Sequence, residues 1–261
     1  MRLATWNVNS VRQRLPRLLA FVERWEPDVV CLQETKMADA DFPSEPLLAR
    51  GYSALCHGQA GRNGVAIVSR LPLEEVARAL PGSPVPEDAR LLAARVDDIT
   101  VVNVYAVNGK EVGDPAYEVK LAWFDALHAW AASMVDPAGR VAIAGDFNVT
   151  PDDRDVHDPD LWRGLNLASE PERARLRALT DVGLVDLGRR AAGDVVGPFT
   201  FWDYRMGAFH RGWGLRIDLV LGSAPVAERL VSVEVDREER KPTAGEGKPS
   251  DHAPVIVTLD D

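Results

Sequence analysis

The sequence predicts an α/β protein in which two packed sheets are covered by outer helices. Three observations support this fold class. A strand, a helix and a second strand follow one another at the N-terminus, as in a βαβ unit. Several strands then occur without intervening helices, which indicates antiparallel pairing. Both halves of the chain look like strands wrapped by a few helices, a pattern that two packed sheets accommodate.

The N-terminal unit begins with a strand over residues 2–6. A helix follows it, and we expect Pro16 in the first turn of that helix. Its buried face is predicted to contain Leu18, Leu19, Phe21, Val22 and Trp25. The segment Glu26-Pro27-Asp28 ends the helix, and a second buried strand covers residues 29–32.

The middle of the chain favours strands. After a short helix near residues 45–50, strands are expected at 52–57, 65–69, 91–96 and 100–105. Asp114 then resembles a helix N-cap, with Pro115 at the first helical position. This helix is predicted to run to about residue 135 and to bury Leu121, Phe124, Leu127 and Trp130.

A short apolar run over residues 141–144 is typical of a strand that is buried on both faces. Gly145 ends the run, and Asp146 and Asn148 follow it, where α/β sheets keep their ligand crevices. The remaining elements are expected to be a helix starting at Pro171 with Leu176, Leu179 and Val182, strands over 217–221, 231–235 and 255–259, a loop rich in aromatic residues and arginine over 197–214, and a charged surface loop over 238–248.

Composition limits the class of protein. The 261 residues contain no linker or low-complexity tract, so we predict one domain over residues 1–261. The net charge of −10 argues against non-specific coating of nucleic acid but permits an enzyme with a local basic rim. Cys31 and Cys56 lack zinc-type neighbours, and no signal peptide or membrane helix is evident. These features predict a cytoplasmic protein without a membrane partner.

Polar residues at the strand ends are the candidates for chemistry. They are Asn7, Glu34, Tyr105, Asp146, Asn148, Asp218, Asp251 and His252. If the strand ends converge, their oxygen atoms suit Mg²⁺ or Mn²⁺ better than zinc. A divalent ion beside an aspartate and a histidine suits hydrolysis of a phosphate ester. The bland alternative is that most of these residues are turn formers and strand-end caps. Composition and spacing do not name the substrate.

Each candidate suits a role in such a reaction. Asp146 could orient or deprotonate the attacking water, and His252 could hydrogen-bond a phosphate oxygen. Asp218 lies inside an apolar strand, where a carboxylate is costly unless it is paired, so it is the candidate partner of His252. Asn148 offers a neutral donor, and Tyr105 offers a hydroxyl group.

Seven stretches of the sequence match one family in its order and cover the chain end to end. They are Trp6-Asn7-Val8-Asn9-Ser10-Val11-Arg12, Leu32-Gln33-Glu34-Thr35-Lys36, Gly64-Val65-Ala66-Ile67-Val68-Ser69-Arg70, Val104-Tyr105-Ala106-Val107-Asn108-Gly109, Gly145-Asp146-Phe147-Asn148, residues 199–218 and Ser250-Asp251-His252-Ala253-Pro254. Read together, they resemble the exonuclease III family of apurinic/apyrimidinic endonucleases, bacterial type, in the endonuclease/exonuclease/phosphatase superfamily.

The resemblance implies a four-layer α/β sandwich and a DNA repair nuclease that depends on Mg²⁺ or Mn²⁺. Such an enzyme cleaves double-stranded DNA 5′ to an abasic site and often acts at 3′ ends as an exonuclease and phosphatase. We expect a monomer. By position, the metal ligands are Asn7, Glu34 and Asp251, and Asp146 and Asn148 are further contacts to metal. The catalytic group comprises Tyr105, Asp146, Asn148 and the coupled pair Asp218 and His252. The substrate contacts are Asn9, Arg12, Asn108, Phe201, Arg205, Leu215 and Ile217.

Two positions depart from some relatives. Asn9 stands where they have aspartate, and Leu215 stands where they have tryptophan in the pocket that receives the sugar. Phe201, Leu215 and Ile217 are expected to form the walls of this pocket, with loop anchors in the core as the alternative. A basic rim is expected from Arg12, Lys36, Arg205, Arg211 and Arg216.

Two other functions remain open at this point. One is a phosphodiesterase on the same scaffold that acts on sphingomyelin or an inositol phosphate. That enzyme would have no use for the loop over residues 197–216, which is rich in arginine and aromatic residues. The other is a catalytically silent DNA-binding paralogue, although no matched catalytic position is lost.

Overall fold

The computed structural model describes residues 1–135 and 138–260, and its strands form two six-stranded sheets. The strands are β1 (Arg2–Asn7), β2 (Val29–Gln33), β3 (Ser53–His57), β4 (Val65–Ser69), β5 (Leu73–Ala77), β6 (Leu91–Val96), β7 (Ile99–Tyr105), β8 (Val141–Asp146), β9 (Leu184–Asp186), β10 (Asp218–Ser223), β11 (Leu230–Val235) and β12 (Val255–Leu259).

The two sheets have the same internal plan. The first has the strand order β11-β12-β1-β2-β4-β3, and the second has the order β5-β6-β7-β8-β10-β9. In each sheet a parallel pair lies near the centre, β1 with β2 and β7 with β8. The strands on either side run antiparallel to them: β12 and β4 in the first sheet, β10 and β6 in the second. The predicted antiparallel pairing after residue 52 is confirmed.

The helices are α1 (Val11–Trp25), α2 (Ser44–Leu48), α3 (Pro115–Met134), α4 (Pro159–Trp162), α5 (Glu170–Asp181), α6 (Leu187–Ala192), α7 (Ala208–Arg211) and α8 (Ala224–Glu228). Short 3₁₀ turns occur at Asp39–Asp41, Asp153–Asp155, Arg205–Gly207, Arg237–Arg240 and Pro242–Ala244. Among the described residues, none of the helices has the length and apolar character needed to span a bilayer.

Apolar clusters separate the layers. The cluster between the sheets contains Leu3 and Ile67 from the first sheet and Val101 and Ala142 from the second. A second cluster packs α1 and α2 on the outer face of the first sheet, and a third packs α3 and α5 on that of the second. Each buried Leu, Ile or Phe side chain stabilises this packing by about 1.5–3 kcal/mol. The predicted four-layer α/β sandwich is confirmed.

Some predicted local features are wrong. The first helix begins at Val11, so Pro16 lies beyond its first turn. Because proline has no backbone N–H, Pro16 cannot donate to the carbonyl oxygen of Arg12. Both residues are exposed, so water can hydrogen-bond this oxygen instead. Trp130 is only half-buried, and Val182 caps α5 from outside the helix.

The segment over residues 238–248 is only partly a surface loop. Glu239 and Arg240 are buried in it. Glu239 forms an ion pair with buried Arg17 of α1, with 3.2 Å between Oε2 and Nη1. The charged composition of this segment therefore reflects a buried ion pair as well as a solvated surface.

Candidate active site

The strand directions bring the predicted site residues to one edge of the sandwich. Parallel neighbours end at the same edge of a sheet, and an antiparallel neighbour begins there. Asp146, the last residue of β8, therefore pairs with Tyr105 at the end of β7 and with Asp218 at the start of β10. In the first sheet, Asn7 at the end of β1 pairs with Gln33, and Glu34 follows directly.

Gly145 allows the close pairing that positions Asp146. Its φ is +154°, and a Cβ atom at this position would lie 1.9 Å from the carbonyl oxygen of Val104. Just beyond the strands, Glu34 and Asn148 have φ values of +53° and +50°, in the left-handed region. Such strained backbone is common where function fixes side-chain direction.

A carboxylate–histidine group forms the centre of the site. Nδ1 of His252 lies 2.8 Å from Oδ2 of Asp218, and Nε2 of His252 lies 3.8 Å from Oδ2 of Asp146. One ligand atom from each of the three side chains lies within 4.8 Å of the others. The predicted proximity of Asp218 to His252 is therefore present in the structure.

Asp146 is held in place by two donors. Nδ2 of Asn7 donates to its Oδ2 at 2.9 Å, and the backbone N–H of Asn148 donates to its Oδ1 at 2.9 Å. Burial raises the pKa of Asp146 to about 7, with a further rise from Asp218, while His252 and the two hydrogen bonds oppose the change.

Burial and neighbouring acids also shift two other groups. Burial alone would lower the pKa of His252, but the negative charges of Asp218 and Asp146 outweigh it and raise the pKa to about 10. Burial, together with the charges of Glu34 and Asp146, raises the pKa of Tyr105 well above its ordinary value. The Tyr105 hydroxyl therefore stays protonated and can act as a donor.

Oxygen ligands surround the other side of Asn7. Its Nδ2 also donates to Oε1 of Glu34 at 2.8 Å, and Asn9 Nδ2 donates to Oδ1 of Asp251 at 3.0 Å. The ammonium group of Lys36 lies 2.8 Å from Oε2 of Glu34 and 2.6 Å from Oδ1 of Asn9. Lys36 therefore neutralises part of the charge of Glu34, and the carboxylate and amide oxygens of this group are of the type that fits a hard divalent ion.

A buried ion pair that the sequence motifs do not predict lies behind the site. Lys120 of α3 and Glu172 of α5 are both 0% exposed and form an ion pair. Nζ of Lys120 also donates to the backbone oxygens of Asn148, at 2.7 Å, and Asn108, at 3.0 Å. Nδ2 of Asn108 in turn donates to Oδ1 of Asn148 at 2.9 Å.

A sequence signal for this pair exists. Lys120 lies in the apolar stripe of α3, and Glu172 lies four residues before Leu176 in the stripe of α5. A charged residue within an apolar stripe requires a buried partner.

Two clefts flank the site and contain several of the predicted substrate contacts. One cleft of about 480 Å³ is lined by Asn108, Phe201 and Arg205. The other, of about 440 Å³, is lined by Arg12 and Lys36. The ring of Phe201 lies 4.9 Å from the ring of His252, so the first of these clefts, which Phe201 lines, reaches the centre of the site.

Three predicted contacts lie elsewhere. Leu215 and Ile217 are each 1% exposed, in a cluster with Phe201 and Leu167, so they support the cleft from below and are not its walls. Arg216 is not part of a basic rim. It is buried, and its guanidinium group contacts Asp155 at 2.6 Å and Asp186 at 2.8 Å.

Comparisons with known proteins show the family of the chain. The Endonuclease/Exonuclease/phosphatase family profile matches residues 4–252. Exodeoxyribonuclease III of Haemophilus influenzae is 32% identical over 266 aligned residues, which cover 98% of each chain.

Solved structures extend the comparison. The 3′ phosphatase NExo from Neisseria, bound to product DNA hairpin, has a TM-score of 0.95 at 38% identity and covers 100% of both chains. An AP endonuclease from Archaeoglobus fulgidus has a TM-score of 0.93 at 35% identity and also covers 100% of both chains. The chain therefore belongs to the endonuclease/exonuclease/phosphatase family, as the resemblance of its motifs to exonuclease III predicted.

Proposed function

We infer that this protein is a metal-dependent DNA repair nuclease. It hydrolyses the phosphodiester bond 5′ to an abasic site and acts at 3′ ends as an exonuclease and phosphatase. Its similarity over nearly the whole chain to exodeoxyribonuclease III and to an AP endonuclease supports this activity. The observation that carries it is the Asp146–His252–Asp218 group beside an oxygen-lined rim.

We propose Mg²⁺ or Mn²⁺ as the ion, held by Glu34, Asp251 and Asn7. Their carboxylate and amide oxygens are the ligands that these hard ions prefer. We also propose Asp146 and Asn148 as further contacts to the ion, since Asn7 hydrogen-bonds both Glu34 and Asp146, and Asn148 N donates to Asp146. When bound, the ion polarises the phosphoryl oxygens and activates water.

The protein groups supply proton transfer and orientation. Asp146 accepts the proton of the attacking water, and its hydrogen bonds from Asn7 and Asn148 fix the direction of its carboxylate. Nε2 of His252 is directed toward the same space and hydrogen-bonds a phosphate oxygen. Asp218 holds the other side of that ring at Nδ1.

Two further donors act on the developing negative charge. The amide of Asn148 is held by Asn108, which donates to its Oδ1, so its orientation is set before the substrate binds. The Tyr105 hydroxyl is the candidate donor to the leaving oxygen. Arg90 lies over the Tyr105 ring, 4.9 Å from its centroid, and packs the ring in place.

The substrate is proposed to be double-stranded DNA, with the abasic sugar or 3′ end in the cleft beside Phe201. An abasic nucleotide leaves the helix at lower cost because it has no base to unpair. We also propose that residues 1–261 act as one monomeric domain in the cytoplasm, where thiols such as the free Cys31 stay reduced. Sedimentation of the purified protein tests the monomer.

The phospholipid or inositol-phosphate alternative has no support among the relatives described above, each of which is named for action on DNA. The test uses purified protein with Mg²⁺ on a duplex containing one abasic site and on a primer with a 3′-phosphate. We expect cleavage of both, and EDTA should abolish it. Hydrolysis of sphingomyelin or an inositol phosphate without cleavage of DNA would contradict the proposal.

A further inference from the structure

A third cleft lies next to the loop that carries Asp251 and His252, which we call the catalytic loop, on the side of the 203–210 segment. Its volume is about 250 Å³, and we call it the loop cleft. Its lining combines aromatic and cationic side chains, including Tyr204, Phe209, His210, Arg240 and Lys248. None of these residues belongs to the reacting group described above.

Arg240 lies in the wall of the loop cleft as a buried cation, at 5% exposure. Its guanidinium group donates only to backbone oxygens, those of Ser250 and Trp202, and its Nε–H has no hydrogen-bond partner. No carboxylate within the described ranges forms an ion pair with it. The rings of Tyr204 and Phe209 lie 5.4 Å and 5.0 Å from its Cζ, so cation–π contacts and backbone oxygens hold this charge in place of a carboxylate. A cation held in this way can still accept an anion at the cleft.

Arg14 is a second cation of this kind, at 2% exposure. Its Nη2 donates to the Tyr204 hydroxyl at 2.6 Å and to the backbone oxygen of Pro249 at 3.2 Å, and its Nη1 donates to Asn9 O and Gln13 Oε1. All four acceptors are neutral, and its Nε has no hydrogen-bond partner among the described residues. The other buried arginines of the chain behave differently, since Arg17 is paired with Glu239 and Arg216 with Asp155.

Lys248 stands over the aromatic part of the cleft. Its Nζ lies 4.1 Å from the centroid of the Tyr204 ring, and in the part of the chain that the structure describes it has no ion pair. Asp203 is the carboxylate of the lining, but Arg205 already holds it at 2.6 Å. The loop cleft therefore concentrates positive charge in a protein whose net charge is −10.

We propose that the loop cleft binds a nucleotide phosphate, with Lys248 and Arg240 facing the anion and the attached sugar beside the edge of the Tyr204 ring. Cations beside an exposed ring are the usual elements of single-strand nucleic-acid binding. The site also touches the catalytic loop, because the Tyr204 hydroxyl donates to Pro249 at 2.7 Å, two residues before Asp251. The source of the phosphate is the DNA strand, which rests on the proposed function, or a mononucleotide released by the reaction.

The test compares Lys248→Gln with the control Lys241→Gln. Lys241 is a half-buried lysine in the same segment, and it is paired with Glu238. DNA affinity is measured against salt concentration in EDTA, so that no cleavage occurs. Loss of one phosphate contact should reduce the slope of log K against log salt by about 1 and weaken binding several-fold. Lys248→Arg should restore the slope, and Lys241→Gln should leave it unchanged.

A second arm titrates each protein with dAMP and with inorganic phosphate, followed by NMR. A loss of dAMP binding in Lys248→Gln without a change in the DNA slope would support the cleft and identify the free nucleotide as its ligand. Equal behaviour of the Lys248 and Lys241 variants in both arms would overturn the proposal. Failure of the wild-type protein to bind or cleave DNA would reject the proposed function, and the dAMP arm would still decide on the cleft.

Discussion

At the scale of single residues, Asp146 separates the effect of charge from that of shape. Asp146→Asn keeps the size of the side chain but removes the carboxylate that would accept a proton from water. We expect the single-turnover rate to fall at least about 10²-fold, the usual contribution of a general base. His252→Ala should be at least as damaging. Asp125→Asn, at a surface residue paired with Arg175, is the control. Rates within a factor of a few of the parent would reject both roles.

A substitution at Glu34 tests the proposed metal ligands separately from proton transfer. Glu34→Gln keeps an oxygen ligand but removes its charge, so we expect weaker use of Mg²⁺ and partial recovery of activity at higher Mg²⁺. The measurement is the rate of cleavage of an abasic duplex over a range of Mg²⁺ concentrations. Full activity at the original concentration would show that Glu34 does not bind the ion.

Single residues also show where sequence reasoning works. Asp218 was predictable because an acid inside an apolar strand needs a partner, and His252 is that partner. Leu215 and Ile217 were placed on a pocket wall and lie beneath it. An apolar residue next to a ligand site and one packed behind it have the same sequence pattern, and only the packing of the loop distinguishes them.

At the scale of elements, the Lys120–Glu172 pair connects α3 and α5 with two site loops. Lys120→Met leaves an unpaired buried carboxylate, so we expect a loss of about 3–5 kcal/mol in the free energy of unfolding. The double variant Lys120→Met/Glu172→Leu should recover only part of that stability, because two apolar side chains replace the pair but Leu167 N and Ser169 N lose Glu172 as their acceptor. It should not recover the cleavage rate, because the backbone oxygens of Asn108 and Asn148 have lost their donor.

The matched control is the buried pair of Arg17 and Glu239, which makes no hydrogen bond to a residue of the site. Arg17→Met/Glu239→Leu should change stability but not the rate at saturating DNA. Urea unfolding measures the stability of each double variant, and single-turnover kinetics measure its cleavage rate. If both double variants behave alike in rate, the Lys120–Glu172 pair is structural only.

The elements that the sequence predicts well are those with a repeated apolar face or a strong cap. Helix α3 begins where expected, and its N-cap Asp114 accepts a hydrogen bond from Ala116 N at 2.8 Å. Strand β5 was missed because most of its side chains are exposed, so it has no apolar alternation. Strand β9 has three residues and α6 buries only Leu187, so neither provides a periodic signal.

At the scale of the whole molecule, the equivalent plan of the two sheets gathers residues from six strand ends at one edge. The sequence predicts the strands and the polar residues after them, but it does not specify which strands pair or which edges meet. The choice of neighbouring strands depends on contacts between distant parts of the chain, such as the pairing of Asp146 with Asp218. The family resemblance predicts that these polar residues converge, and the register of the strands explains how they do.

The overall charge leads to a salt-dependence prediction. With Arg216 excluded, the exposed rim consists of Arg12, Arg205 and Arg211, beside Lys36. Three phosphate contacts would give a slope of about −3 in a plot of log K for an abasic duplex against log salt, and the contact proposed for Lys248 would bring it to about −4. The acidic residues on the rest of the surface should keep non-specific binding weak. An undamaged duplex should therefore bind less tightly than the abasic duplex at every salt concentration. A flat plot would contradict a basic rim.

The position of the metal ion is the most direct test of the proposed active site. Crystals grown with Mn²⁺ and an abasic duplex allow the ion to be located by its anomalous scattering. We predict a peak about 2 Å from oxygens of Glu34 and Asp251, the distance of hard-ion coordination. We also predict that His252 remains hydrogen-bonded to Asp218. A single peak on His252 and Asp218, with Glu34 and Asp251 free of metal, would contradict the proposed site.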